Sequence, residues 1–229
     1  MLTDAELQAL WISLKVSARA VLFALPLAIA CAYLLARKRF PGKALFDGLV
    51  HLPLVLPPVV VGYLLLLLFG TRGPIGSVLD SWFGIRLVFT SAGASLAVAV
   101  TSFPLMVRAI RLATEAIDTG LEDAARTLGA GPWDRFFSVT LPLMSPGVLA
   151  GAIVAFAAGL GEFGAVITFV SNIPGETQTL PLAIYTATQT PGGEAAAARL
   201  AAISFALALA GLVLSEWLAR RVRVSIGRA

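Results

Sequence analysis

Apolar residues run along the 229-residue chain in long blocks divided by short polar breaks. A helix rising 1.5 Å per residue needs roughly 20 mainly apolar residues to cross about 30 Å of hydrocarbon. Five blocks qualify, at residues 10–36, 45–69, 89–113, 146–170 and 198–220. They predict an all-α integral membrane protein with five transmembrane helices, forming one transmembrane domain over residues 1–229. The long connections are 114–145 and 171–197. The first block does not read as a cleaved signal peptide: acids precede it instead of a basic region, it is too long, and no A-x-A-like site follows.

Composition agrees with the pattern. Hydrophobic residues make up 58% of the chain and charged residues 13%, with mean hydropathy +0.89; a soluble domain carries about 25% charged residues. A net charge of +4 would suit nucleic acid, but the placement of the basic residues argues otherwise. Arg37, Lys38, Arg39 and Lys43 lie in the first connection, Arg108, Arg111, Arg126 and Arg135 in or beside the third, and Arg220, Arg221, Arg223 and Arg228 in the tail. These twelve of 17 basic residues fall on one side of a five-span chain. Cytoplasmic loops hold the excess of Lys and Arg, so the N-terminus is expected outside and the C-terminus in the cytoplasm, with no nucleic-acid partner. Lys15 and Arg19, near the outer end of the first span, either snorkel toward headgroups or attract an anionic substrate. The lone Cys31 excludes an intrachain disulfide and a cysteine-based metal site.

Within the spans, Gly147, Gly151, Ala155 and Gly159 recur every four residues, as do Ala198, Ala202, Ala206 and Ala210. Small residues at that spacing let helix backbones approach closely in lipid, within this chain or against a second copy. His51, Pro53, Pro57 and Pro58 in the second span and Pro104 in the third leave backbone carbonyls without their usual partners. Such irregularity is tolerated only inside protein or beside water. His51 has no clustered ligands and reads as an interfacial or core residue, not a metal site. Glu162 is the sharpest polar feature: a carboxylate near mid-bilayer costs at least about 2.5 kcal/mol unless satisfied or facing a cavity. It reads either as a residue of the path that moves, or as one satisfied by nearby hydroxyls or amides. Pro57, Pro58, Ser102 and Glu162 are the candidate path or gate residues.

The stretch 114–145 carries ordered local signals. Thr119-Gly120-Leu121-Glu122 fits a capping box. A helix from there places Leu121, Ala124, Ala125 and Leu128 near one face and ends at Gly129 in the left-handed position. A second short helix is expected to start at Pro132 and include Trp133, Phe136 and Phe137. Asp123-Ala124-Ala125, then Gly129, then Val139 and Leu141-Pro142 resemble the EAA motif of permease subunits of bacterial ABC importers, with Asp for the motif's Glu and Val for its Ile. The segments HLPLVLPPVVVGYLLL (51–66), SFPLMVRAIRLA (102–113), AARTLGAGPWDRFFSVTLPL (124–143) and LGEFGAVITFVSNIPGETQTLPLAIY (160–185) resemble molybdate permeases over nearly the whole chain.

That resemblance implies a type I ABC importer permease in the bacterial cytoplasmic (inner) membrane, surrounded by lipid and working by alternating access as two copies of this chain. It also implies two ATPase subunits docked on Leu121, Glu122, Asp123, Ala124, Ala125, Leu128, Gly129, Trp133 and Phe136. An outer molybdate-binding protein would meet the loop through Asn172, Pro174, Glu176 and Thr177, and within that loop Thr179–Gln189 can form a short helix. Sulfate and tungstate permeases are close cousins. The chain has no G-x-x-x-x-G-K-[ST], GxSxG or HExxH, so ATP hydrolysis is expected on another subunit, and neither a catalytic site nor a cofactor is expected here. Rival readings are a membrane-embedded enzyme or scaffold, or a secondary carrier, which would need inverted repeats or paired intramembrane charges.

Overall fold

The computed structural model describes the backbone of residues 2–226 and the side chains of 2–214 and 217. Arg220, Arg221, Arg223 and Arg228, used above to place the C-terminus, lie outside the described side chains. The described residues form helices and no strand: α1 (Asp4–Arg37), α2 (Lys43–Val55), α3 (Pro58–Phe69), α4 (Pro74–Phe83), α5 (Ser91–Glu115), α6 (Thr119–Thr127), α7 (Pro132–Arg135), a π turn (Phe136–Thr140), α8 (Leu141–Leu160), α9 (Gly164–Val170), α10 (Leu180–Gln189) and α11 (Glu194–Ile226).

Helix α1 starts at a capping box: the Glu6 N–H donates to Thr3 Oγ1 at 3.3 Å and the Thr3 N–H to Glu6 Oε2 at 2.8 Å. Ala20, Ala24, Ala28 and Ala32 form its buried stripe. This lets α5 and α8 pack closely along it. The glycine stripe of α8 completes the contact: a Cβ on Gly147 would stand 2.3 Å from the Ala113 Cβ, and one on Gly159 2.6 Å from Val98. The neighbours of that stripe are therefore in this chain. On α11 the outcome is opposite, since Ala198, Ala202, Ala206 and Ala210 are exposed and the buried contacts are Ala197 and Leu200.

Two expected spans are corrected. Residues 45–69 are not one helix, because α2 and α3 meet at 114°. Leu56 and Pro57 both precede a proline, which disfavours the helical region; both are extended, with ψ 140° and 134°. Pro58, with no N–H to lose, opens α3. The described chain thus has four helices long and apolar enough to span, or five if the bent pair counts as one. The fourth span is also displaced. One 29-residue helix runs from Pro132 to Leu160 through the π turn, where the Leu141 N–H bonds to the Phe136 carbonyl. Expected as a separate short helix, α7 is the first turn of this spanning helix. Pro146 cannot donate to the Pro142 carbonyl, and the Ser145 hydroxyl does so at 2.7 Å. Helix α8 ends at Gly161, and residues 164–170 form the separate α9.

Two apolar cores lie end to end between α1 and α5. In one, Val16 and Val98 meet Val61 of α3 and Val166 and Phe169 of α9. In the other, Ala28 and Leu35 meet Met106, Ile110 and Met144. Helix α10 falls within the expected Thr179–Gln189. It is tied to α1 by the buried Ser13 hydroxyl, which accepts the Leu180 N–H at 2.7 Å.

Candidate functional site

At the basic end of α1, helix α6 projects with no buried residue of its own. Its cap is Asp118, whose Oδ1 accepts the Gly120 N–H at 2.8 Å, so the expected Thr119 capping box is off by one residue. Glu122 is thereby released from a capping role. It pairs with Arg37 at 3.2 Å and accepts the Thr140 hydroxyl at 3.0 Å. Arg37 also donates to the Ile117 carbonyl at 3.1 Å. These bonds fasten α6 to the end of α1 and to the base of α8. Gly129 takes φ +89°, and the Ala130 N–H bonds to the Ala125 carbonyl at 3.0 Å, the closed helix end that favours glycine.

Leu121, Asp123, Ala124, Leu128 and Trp133 are exposed and Ala125 half-buried. Leu128 is 89% and Trp133 75% exposed, an apolar surface on a polar loop. Two of the expected docking residues have partners within the chain: Glu122 is paired with Arg37, and Phe136 is half-buried, edge-on to Tyr33 with ring centres 5.2 Å apart.

The two helix breaks meet. A Cβ on Gly62 would lie 2.6 Å from the Ala165 carbonyl oxygen, and one on Gly164 2.8 Å from the Pro58 Cβ. Only glycine permits α3 and α9 to cross this closely. Pro57 and Pro58 are exposed at this crossing. Glu162 is half-buried beside it, and its Oε1 accepts the Ala165 N–H at 2.9 Å. Ser102 is a correction: it is 1% exposed, and its hydroxyl bonds back to the Val98 carbonyl at 2.7 Å, so it faces the core and not a path.

In the loop 171–197, Pro174 and Glu176 are exposed and Asn172 half-buried. Asn172 belongs to a network with Thr186 at 2.8 Å and Gln178 at 3.0 Å. Glu176 Oε1 accepts the Ser91 N–H at the start of α5. Thr177 is another correction: fully buried, it accepts the Ile173 N–H and donates to the Ser171 carbonyl, which leaves it nothing to offer a partner.

A charged cluster went unrecognised in the sequence. Asp47 of α2 pairs with Arg111 of α5 at 2.9 Å, and Arg111 with Glu115 at 2.7 Å. His51 Nδ1 sits 2.9 Å from the Asp47 carbonyl. The four-residue spacings Asp47/His51 and Arg111/Glu115 are the signal that was available. Among the described residues no group of three or more His, Cys, Asp or Glu can hold a metal.

The model of the family described as "binding-protein-dependent transport system inner membrane component" matches residues 24–224. The chain is 64% identical over 228 residues to the molybdenum transport system permease protein ModB of Escherichia coli K12, covering all of both chains. It is 56% identical to ModB of Haemophilus influenzae, over 97% of each. Identity to the sulfate transport system permease protein CysW of Synechococcus elongatus is 38%, over 86% of this chain and 69% of that one. Among solved structures, the inward-facing MetNI methionine ABC transporter aligns with TM-score 0.76 at 16% identity, over 96% of this chain and 99% of that chain. A bacterial alginate ABC transporter bound to its alginate-loaded periplasmic protein also aligns with TM-score 0.76, at 18% identity, over 96% and 80%. These last two likenesses concern the fold.

Proposed function

The chain belongs to the binding-protein-dependent transport system inner membrane components, and on that premise we propose that it is the membrane permease of a molybdate importer driven by ATP hydrolysed on a separate subunit. It resides in the inner membrane, as that family does. The observation that carries the substrate is 64% identity over the full length to a molybdenum permease, against 38% to a sulfate permease.

The architecture supports a division of labour between the ends of α1. Near the N-terminus of α1, Ser13 fastens the loop of 171–197 at Leu180, and Glu6 fastens α11 just beyond that loop through its 2.8 Å pair with Arg199. Helix α6 is fastened at the C-terminus of α1, through Arg37. Along α1, Ser13 and Glu6 lie 24 and 31 residues before Arg37, about 36 and 46 Å, more than a bilayer's hydrocarbon. With the basic end in the cytoplasm, α6 offers Leu121, Ala124, Ala125, Leu128 and Trp133 to the ATPase. Asn172, Pro174 and Glu176 face a binding protein outside. Two copies of the chain enclose the path, and the crossing of α3 with α9 lies along it. Selectivity rests mainly on the binding protein, because tight holding within the path would slow release.

The test is uptake of radiolabelled molybdate against sulfate in vesicles holding the permease, its ATPase and its binding protein. Uptake should require ATP and all three components and should favour molybdate. Equal sulfate uptake would overturn the substrate, and failure of the permease to bring down an ATPase on purification would overturn the class.

A further inference from the structure

Two cavities adjoin at the basic end of α1. One is an apolar groove of about 660 Å³ running along Pro26, Ile29, Tyr33 and Leu34, closed on the other side by Trp133 and Phe137. The other is a polar pocket of about 270 Å³ that includes Arg37, Lys38, Glu122, Asp123 and Arg135. Tyr33, Lys38 and Pro132 line both. Glu122 is taken by Arg37 and Asp123 by Arg126. Among the described residues this leaves Lys38 and Arg135 with no carboxylate. Nε of Arg37 and Nε of Arg135 are both shielded from solvent and make no hydrogen bond. Shielded guanidinium N–H groups without acceptors are costly, and their fork suits a phosphate.

We propose that these cavities together hold one anionic phospholipid, its phosphodiester on Arg135 and Lys38 and an acyl chain in the groove. A free anion would fill only the polar pocket. A soluble partner does not reach the groove's far end, because Pro26 lies eleven residues before Arg37, about 16 Å deeper along the helix and within the apolar block. Trp133, at the mouth, is the residue type that favours the headgroup level. The lipid bridges α1 and the helix that follows α6, so the position of α6 depends on it. Which leaflet supplies it rests on the orientation proposed above; its binding does not.

The test uses the purified permease–ATPase complex in detergent, equilibrated with equal amounts of phosphatidylglycerol and phosphatidylcholine and examined by native mass spectrometry. One phosphatidylglycerol per permease should be retained in preference to phosphatidylcholine. Arg135→Gln with Lys38→Gln should lower retention at least tenfold while the complex stays monodisperse, and Arg135→Lys with Lys38 intact, which keeps the charge and loses the fork, should recover part of it. Ala30→Trp, which fills the groove and leaves the cations, should lower retention as far. Equal retention of both lipids, unchanged retention in the double variant, or no recovery with Arg135→Lys overturns the proposal. Wild-type retention by Ala30→Trp with displacement by inorganic phosphate identifies a free-anion site instead. Retention by the permease alone that disappears in the complex makes the groove a protein interface.

Discussion

Replacing Glu122 with Ala tests whether α6 acts as a part fastened to the transmembrane body. Two contacts are lost, the Arg37 pair at 3.2 Å and the Thr140 hydroxyl at 3.0 Å, between side chains only 12% and 18% exposed. Deleting one partner of a fully buried pair costs about 3–5 kcal/mol. Here some solvent remains and Arg37 keeps the Ile117 carbonyl, which brings the loss to about 2–3 kcal/mol. At 1.4 kcal/mol per tenfold, the detached state of α6 gains about 30- to 150-fold. Glu122→Gln keeps an acceptor for Thr140 and loses the charge, an effect of about 1 kcal/mol. Hydrogen exchange of the α6 amides in the permease–ATPase complex should speed up by those factors, in that order, while molybdate moved per ATP falls and hydrolysis continues. Exchange and stoichiometry both unchanged in Glu122→Ala would refute the fastening.

Four further outcomes follow from the geometry. Ala125→Trp and Gly129→Leu should each abolish uptake while the permease still reaches the membrane; normal substrate-stimulated ATP hydrolysis in either variant would sink the docking role of α6. Gly147→Val places a Cβ 2.3 Å from that of Ala113, so α5 and α8 must part, and the midpoint of thermal unfolding followed by size-exclusion chromatography should fall by several degrees. Ser13→Ala strands the buried Leu180 N–H at a cost of about 1–3 kcal/mol, seen as faster exchange of the α10 amides with α5 unchanged. Glu162→Gln retains an oxygen to accept the Ala165 N–H, so uptake should stay within about twofold, whereas Glu162→Ala leaves that N–H without its acceptor, at a cost of about 1 kcal/mol, and should do worse; equal loss in both would assign the role to the charge.

Long apolar blocks and local punctuation were legible in the sequence. The span of α1, the left-handed end at Gly129 and the short helix α10 follow from hydropathy and from residues acting on their own neighbours. What was misread needs information from elsewhere in the chain. Residues 146–170 are apolar throughout, so composition could not show that the helix stops at Gly161 and begins again at Gly164. At that break α3 crosses with room only for glycine, a contact between residues about 100 positions apart. Glu122 matched a capping box by spacing, but an arginine 85 positions earlier competes for it. Ser102 and Thr177 are polar residues in suggestive places, and both are consumed by backbone partners within six residues. The alanine stripe of α11 shows the same limit from the other side: the four-residue repeat is real, yet the face it forms is left exposed by the described residues.

These features make a continuous mechanical route on the proposed reading. The helix from Pro132 to Leu160 is 29 residues, about 43 Å long, and it is fastened at one end to α6 through Thr140 and Glu122. At the other end it stops at Gly161, directly before the short α9 that crosses α3. Between these ends the close contacts of Gly147 and Gly159 hold it against α5, which couples its movement to that helix beyond the π turn and Pro146. A displacement of α6 is therefore delivered to the place where the backbone is already broken. Breaks at Pro57 and Glu162 lie on facing elements and absorb a change of angle without disrupting a helical ladder, because the prolines have no N–H to lose and Glu162 carries the amide of α9 with it. The helix breaks are where such motion can be taken up, and the glycine-packed helices are where it cannot.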